Sequence, residues 1–350
     1  MISNKIFLTL AVFATTPALA ASITQTNLVS DGAVSAANTD ANLKNPWGIS
    51  YAPGGAFWVS DNATGLTTLY NGTGVPQSLV VTIPAAGGGT GPGSPTGQVY
   101  NPSTTDFSVT LAGVSGVAAF LFATEDGTIS GWAPSVSFST AVVAVDRSTV
   151  GLGAVYKGLA YYTNSSGANY LLATDFRNNE IDEFDASFTL VKSFRDSMMP
   201  ANYAPYNIAV MGGKIYVTYA KQDKMKHDSV SGKGLGAVET IDFNGKVKDR
   251  YMGGDLNAPW GLALAPAGWG KLSNHLLVGN FGDGHITTFH GKLKEGAQLK
   301  AAGGTPIAID GLWGLIPGNG GTGGATNTIY FAAGTNYEQD GLFGSLTYAP

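Results

Sequence analysis

The strongest constraint in this sequence is a short motif that keeps returning. Asn45-Pro46-Trp47-Gly48-Ile49 is matched by Ala258-Pro259-Trp260-Gly261-Leu262 and again by Gly311-Leu312-Trp313-Gly314-Leu315. Weaker copies stand at Ala204-Pro205-Tyr206-Asn207-Ile208, Val155-Tyr156-Lys157-Gly158-Leu159 and Val114-Ser115-Gly116-Val117, which makes six anchors. A β-rich couplet follows each: Phe57 to Ser60 then Thr67 to Tyr70, Phe120 to Ala123 then Thr128 to Trp132, and Tyr170 to Thr174 then Glu180 to Phe184. The later three are Ile215 to Tyr219 then Ala237 to Phe243, Leu276 to Gly279 then His285 to Phe289, and Thr328 to Ala332 then Leu342 to Thr347. Aromatic and β-branched runs broken by Gly, Asn or Asp are strand-turn-strand signals.

A repeat of this size cannot bury both faces of its own sheet. Six of them around an axis can, and the ring leaves only short edges. The expected fold is therefore all-β, a six-bladed β-propeller occupying residues 21–350 as one domain. A lone strand candidate, Thr24 to Ser30, precedes the first anchor, and the last strand candidate is Gly344 to Tyr348. The N-terminal strand is expected to complete the sixth blade and close the ring.

Composition agrees with such a core. Of 350 residues, 44% are hydrophobic and 49 are glycine, which fits many short strands joined by tight turns rather than a disordered chain. A large core needs no disulfide staples, and the absence of cysteine removes thiol catalysis and thiolate metal sites. With 12% charged residues and a net charge of -5, there is no basic surface for a phosphate backbone, so nucleic acid is not an expected partner.

The first twenty residues read as a signal peptide. Lys5 precedes the apolar run Ile6 to Phe13 and the small-x-small site Ala18-Leu19-Ala20, so cleavage after Ala20 and a periplasmic or secreted location are expected. No segment has the roughly 20 apolar residues of a membrane-spanning helix.

Two segments break the period. The first two anchors lie about 68 residues apart rather than about 50, and the excess is read as a loop insertion near 85–106 containing Ala85-Ala86-Gly87-Gly88-Gly89-Thr90-Gly91-Pro92-Gly93. It lacks the Lys and Ser/Thr of a phosphate loop. A second insertion near 221–236 carries Lys221, Lys224, Lys226, His227 and Lys233 and reads as a basic hairpin extension.

Asn45-Pro46-Trp47-Gly48, Ser94-Pro95-Thr96-Gly97-Gln98-Val99, Ala204-Pro205-Tyr206-Asn207-Ile208, Leu276 to Gly284 (LLVGNFGDG), Gly311-Leu312-Trp313-Gly314-Leu315 and Gly341-Leu342-Phe343-Gly344 resemble a family of uncharacterised exported bacterial propeller proteins, over the whole mature chain. The repeat is more distantly similar to NHL-type and lactonase-like six-bladed propellers. The resemblance implies fold and export, and it implies no reaction.

The residues just before each anchor glycine, Trp47, Ser115, Lys157, Tyr206, Trp260 and Trp313, are expected at one mouth of the central channel. Aromatic faces there suit a sugar ring or another flat ligand, making Trp47, Lys157, Tyr206, Trp260 and Trp313 candidate ligand-binding residues for a small molecule or glycan. The alternative is that these rings pack between blades. The ends of the second strands supply Asp61, Glu125, Asp175 and Asn280, with Asp283 near, as candidate ligands for Ca²⁺ or another divalent cation. Lactonase-like propellers carry a carboxylate and amide site centrally, but Trp47, Trp260 and Trp313 stand where its Asn would be expected. The alternative is that these side chains cap their own turns. The four histidines show no metal-ligand spacing, and no G-x-S-x-G elbow is present. Three functions are thus open: a ligand-binding module, a metal-dependent hydrolase or lyase, and an extracellular or envelope protein-interaction scaffold read through loops 85–106 and 221–236.

Overall fold

The computed structural model describes residues 22–88 and 91–349. Six antiparallel sheets of the expected kind are arranged as propeller blades. Blade 1 runs from the inner strand Pro46–Ser50 through Phe57–Asp61 and Leu66–Tyr70 to Val81–Thr82. Blades 3, 4 and 5 repeat this order from the inner strands Tyr156–Thr163, Tyr203–Met211 and Pro259–Leu264.

Blade 6 is closed as expected. Leu312–Pro317, Thr328–Ala333 and Leu342–Ala349 are followed outward by Ser22–Ser30, which pairs antiparallel with the last strand from Ser22 opposite Ala349 to Ser30 opposite Leu342. Ser22–Ser30 and Leu342–Ala349 thus share one sheet, and the ring is fastened by backbone hydrogen bonds. The signal-peptide expectation falls on residues outside those described. Among the described residues, no helix is long and apolar enough to cross a membrane.

Blade 2 corrects the sequence reading. Its inner strand is Pro95–Tyr100, which pairs with Phe120–Thr124, so the true anchor glycine is Gly97. The segment 85–106 is therefore not simply an inserted loop. Val114–Val117 instead pairs with Ser108–Leu111 in a two-stranded hairpin set between the first and second strands of the blade, and Ser115 is exposed there, bonded to Thr110, away from the channel. Strand-like composition made the hairpin look like an anchor, whereas only Gly97 can make the contact described next.

The anchor glycines exist because the inner strands approach one another closely. A Cβ at Gly48 would lie 2.4 Å from the Thr96 carbonyl oxygen, and one at Gly314 would lie 2.5 Å from that of Trp47. No side chain fits such a gap. In blade 4 Asn207 takes the glycine position, and its amide bridges to the next blade by donating to the Trp260 carbonyl at 2.7 Å. Each of the six gaps between blades holds one apolar cluster, for example Val59, Tyr70, Tyr330 and Phe343 between blades 1 and 6. The remaining cluster lies on the axis and positions the site.

Candidate functional site

Inner strands begin at one end of the channel, so the residues before the anchor positions converge there. Trp47, Tyr206, Trp260 and Trp313 meet on the axis with Phe176 and Phe281. Trp47 stacks on Trp313 at 3.5 Å between ring centroids, and Phe281 covers the other face of Trp313 at 4.0 Å. Trp260 stands edge-on to both at 6.0 and 5.8 Å. The three tryptophans and Tyr206 are 1–4% exposed, Phe176 is fully buried and Phe281 half-buried. They neither pack between blades nor present open faces at the mouth: they form a plug across the channel. Two of the three indole N–H groups are tied in, Trp313 Nε1 donating to Asn45 Oδ1 at 3.1 Å and Trp260 Nε1 to the Lys157 carbonyl at 3.2 Å, whereas the buried Trp47 Nε1 has no partner.

Above the plug runs a belt of polar side chains from five blades. Glu338 accepts from the Asn45 amide at 3.1 Å, Asn45 donates also to Asn62 at 3.2 Å, and Asn62 donates to Glu125 at 2.8 Å. Glu125 pairs closely with the Lys157 ammonium, whose side chain is 1% exposed. Lys157 also faces Asp228 at 3.5 Å, and Asp228 bonds His227 Nδ1 at 2.9 Å. The ammonium lies 5.1 Å from the centroid of the Trp47 ring, so it is held by carboxylates on one side and an aromatic face on the other.

Two irregular segments complete this belt. The 221–236 segment, read from sequence as a basic extension, folds back over the mouth. It supplies His227 and Asp228, and Ser229 meets the Tyr206 hydroxyl at 3.1 Å. Glu338 comes from a turn in which Asn336, Tyr337 and Glu338 have φ of 54°, 55° and 66°, three consecutive left-handed residues without a glycine. Such residues cost about 1–2 kcal/mol each, offset here by Asn336 N–H on Asp310 and its amide on Asp340.

The electrostatics are asymmetric. Burial raises the Glu338 carboxyl, the Asn45 hydrogen bond opposes this, and the nearby Glu125 charge adds to the rise. Asp228 is held at about 2, chiefly by its bond to His227, and that same bond raises His227 above 6.5. A raised histidine stabilises the folded loop fully below its ordinary pKa and loses that contribution as pH rises through the folded-state value. Amide exchange in residues 222–230, corrected for intrinsic rates, is therefore expected to accelerate between about pH 6 and about pH 9. His227→Gln should abolish this dependence. Equal protection at both pH values in the parent would contradict the assignment.

The four sequence-derived metal candidates do not share one site. Asp61 is fully buried and accepts from the Thr68 hydroxyl at 2.8 Å, and burial raises its carboxyl well above the usual range. Asp175 accepts from Val155 N–H and from Asn178, and Asn280 binds the Asn257 N–H, the Asp255 carbonyl and Asp283. These three hold local connections. Glu125 alone reaches the mouth, where it groups with His227 and Asp228 within 4.8 Å. A divalent ion there would have to displace the Lys157 ammonium that already neutralises the carboxylates. The residues present thus do not fit the central cation site of lactonase-like propellers. His285 engages the Ile307 carbonyl at 2.8 Å and takes no part.

Sequence reasoning missed Asn45, Asn62, His227, Asp228 and Glu338 as site residues. Asn45 carried a signal, since it opens the strongest anchor, whereas Glu338 depends on a turn that no local propensity announces.

No protein-family model matches the chain. It is 32% identical over 327 residues to the uncharacterised protein L690 of Acanthamoeba polyphaga mimivirus, covering 91% of this chain and 84% of that one. It is 30% identical to the uncharacterised protein R648 of the same virus, covering 91% and 78%. These relatives are viral and lend no support to the bacterial origin expected from the motifs. Among solved structures, a virginiamycin B lyase from Staphylococcus aureus superposes with a TM-score of 0.53 at 15% identity, covering 94% of this chain and 99% of that chain. A PQQ-bound aldose sugar dehydrogenase from Streptomyces coelicolor gives 0.52 at 12%, covering 95% and 100%. At such identities the likeness is one of fold alone. The chain is a six-bladed β-propeller and belongs to the same family as mimivirus proteins L690 and R648.

Proposed function

We propose that this propeller is a ligand-binding module whose belted mouth takes a small, uncharged, hydroxyl-rich ligand such as a sugar. The observation that carries the reading is the belt itself. Side chains from five blades are linked in one hydrogen-bonded chain over a closed aromatic floor, and a strained left-handed turn is spent on bringing Glu338 into it. Carboxylate and amide oxygens in fixed positions suit hydroxyl donors, and the half-buried His227 offers a donor in return. Tyr337, 92% exposed beside Glu338, supplies an open ring at the rim, the part first sought in the buried tryptophans.

Calorimetric titration of the full chain against a panel of neutral mono- and oligosaccharides should find a binder. Asp228→Ala and Glu338→Ala should each weaken it by about tenfold or more, the effect of losing a hydrogen bond to a charged group, in protein that keeps a cooperative melting transition. A panel without a binder, or variants with parental affinity, would overturn the reading.

A metal-independent hydrolase or lyase is the second reading. What favours it is that the mouth holds both a carboxyl raised by burial, Glu338, and a histidine oriented by Asp228, His227, two groups able to move protons.

A further inference from the structure

Beyond the plug, the second halves of the inner strands enclose a cavity of about 490 Å³ that opens at the end of the channel opposite the belt. Its size lies within the usual range for small-molecule sites, about 300–1,000 Å³. All six blades contribute to it, and Trp260 closes its inner end. No Asp, Glu, Lys, Arg or His is among its lining residues.

The residue immediately after the anchor position defines the wall. It is Ile49 in blade 1, Leu159 in blade 3, Ile208 in blade 4, Leu262 in blade 5 and Leu315 in blade 6. In blade 2 it is Gln98, the one polar member of this ring. Gln98 is 5% exposed, and its amide nitrogen donates to the Gly48 carbonyl at 2.8 Å and the Trp58 carbonyl at 2.9 Å. Those two acceptors fix which end of the amide is nitrogen, so the oxygen assignment does not depend on a flip. Gln98 Oε1 has no protein partner, and neither does the hydroxyl of Ser50 on the adjoining blade, which is 6% exposed and also lines the cavity. A buried acceptor without a donor is destabilising, and a hydrocarbon wall cannot relieve it.

We propose that this cavity is a second binding site, separate from the mouth, for a neutral molecule with an apolar body and one hydrogen-bond donor, such as an alcohol with a hydrocarbon chain. The aliphatic ring takes the body. Gln98 Oε1 and the Ser50 hydroxyl lie just beneath this wall, and the donor reaches them as the neighbouring side chains give way. An ionised ligand is excluded because nothing in the wall compensates its desolvation. This site does not rest on the sugar reading, and the plug keeps the two apart.

The test uses the full chain and N-phenyl-1-naphthylamine, a neutral apolar fluorophore with a single N–H. Saturable enhancement with one site is expected. 1-Octanol should displace the probe, and octanoate should do so about tenfold or more less well, because its charge must be desolvated. Val210→Trp and Leu264→Trp each fill the outer part of the cavity at positions that are only half-buried, and both should weaken the probe while retaining the parental melting temperature. Non-saturable fluorescence, octanoate competing as well as octanol, or parental affinity in a folded filling variant would each overturn the proposal. Absence of any displacement by octanol would place the probe outside the cavity and would overturn it equally.

Discussion

Removal of residues 22–30 is expected to abolish the cooperative thermal transition of this protein, although these residues supply none of the belt's side chains. The strand carries Ile23, Leu28 and Val29, which are 3%, 8% and 0% exposed. At about 1.5–3 kcal/mol for each buried apolar side chain, their loss alone is roughly 5–9 kcal/mol, comparable to the whole stability of a typical domain. The deletion also uncovers the edge of Leu342–Ala349, eight residues of which pair with it, and a long bare edge invites association between chains. Circular dichroism on the purified variant should show no sharp melting and light scattering should show aggregates. A deletion variant that melts at the parental temperature would contradict closure by this strand.

Lys157→Ala should cost about 3–5 kcal/mol, far more than a surface ion pair, because it leaves Glu125 without the buried cation it faces. The ammonium is almost wholly inaccessible, lies between Glu125 and Asp228, and rests against Trp47. The double variant Lys157→Met with Glu125→Gln removes both charges and keeps the volume, so it should recover at least half of the loss. Urea unfolding of the parent, Lys157→Met, Glu125→Gln and the double variant closes the cycle. A single-variant cost below about 1 kcal/mol would place the pair among ordinary surface contacts and remove the electrostatic centre of the belt.

The architecture was legible from sequence because it rests on repetition. Trp-Gly anchors at Gly48, Gly261 and Gly314 are forced by the close approach of inner strands, and the unpaired strand candidate at the N-terminus had only one place to go. Blade 2 was misread because its inner strand, Pro-Thr-Gly-Gln-Val, has no aromatic at the anchor and Thr96 instead bonds the Tyr156 carbonyl of blade 3 at 2.8 Å. The site was less legible. Lys157 and Glu125 were found, since both follow from blade position, and so were the axial rings. That the rings would stack on one another rather than on a ligand follows from the channel's width, which no local pattern states. His227, Asp228 and Glu338 arrive on irregular segments whose paths are set by tertiary contacts, and Asp61, Asp175 and Asn280 lie at equivalent blade positions yet are consumed by their own connections.

Everything placed at the mouth depends on the ring being closed. The belt crosses the seam between the first and last blades through Asn45 and Glu338, and the plug crosses it through Trp47 and Trp313. Because the chain has no cysteine, the seam can be read directly. Thr24 and Thr347 are direct cross-strand partners, and directly opposed residues of an antiparallel pair have Cα separations within the range a disulfide spans. In the variant carrying Thr24→Cys and Thr347→Cys, mild oxidation should give a monomeric intramolecular disulfide in nearly all molecules, with a raised melting temperature. Thiols that stay reduced in the folded protein, or that cross-link only between chains, would contradict the closed six-bladed ring and the site built upon it.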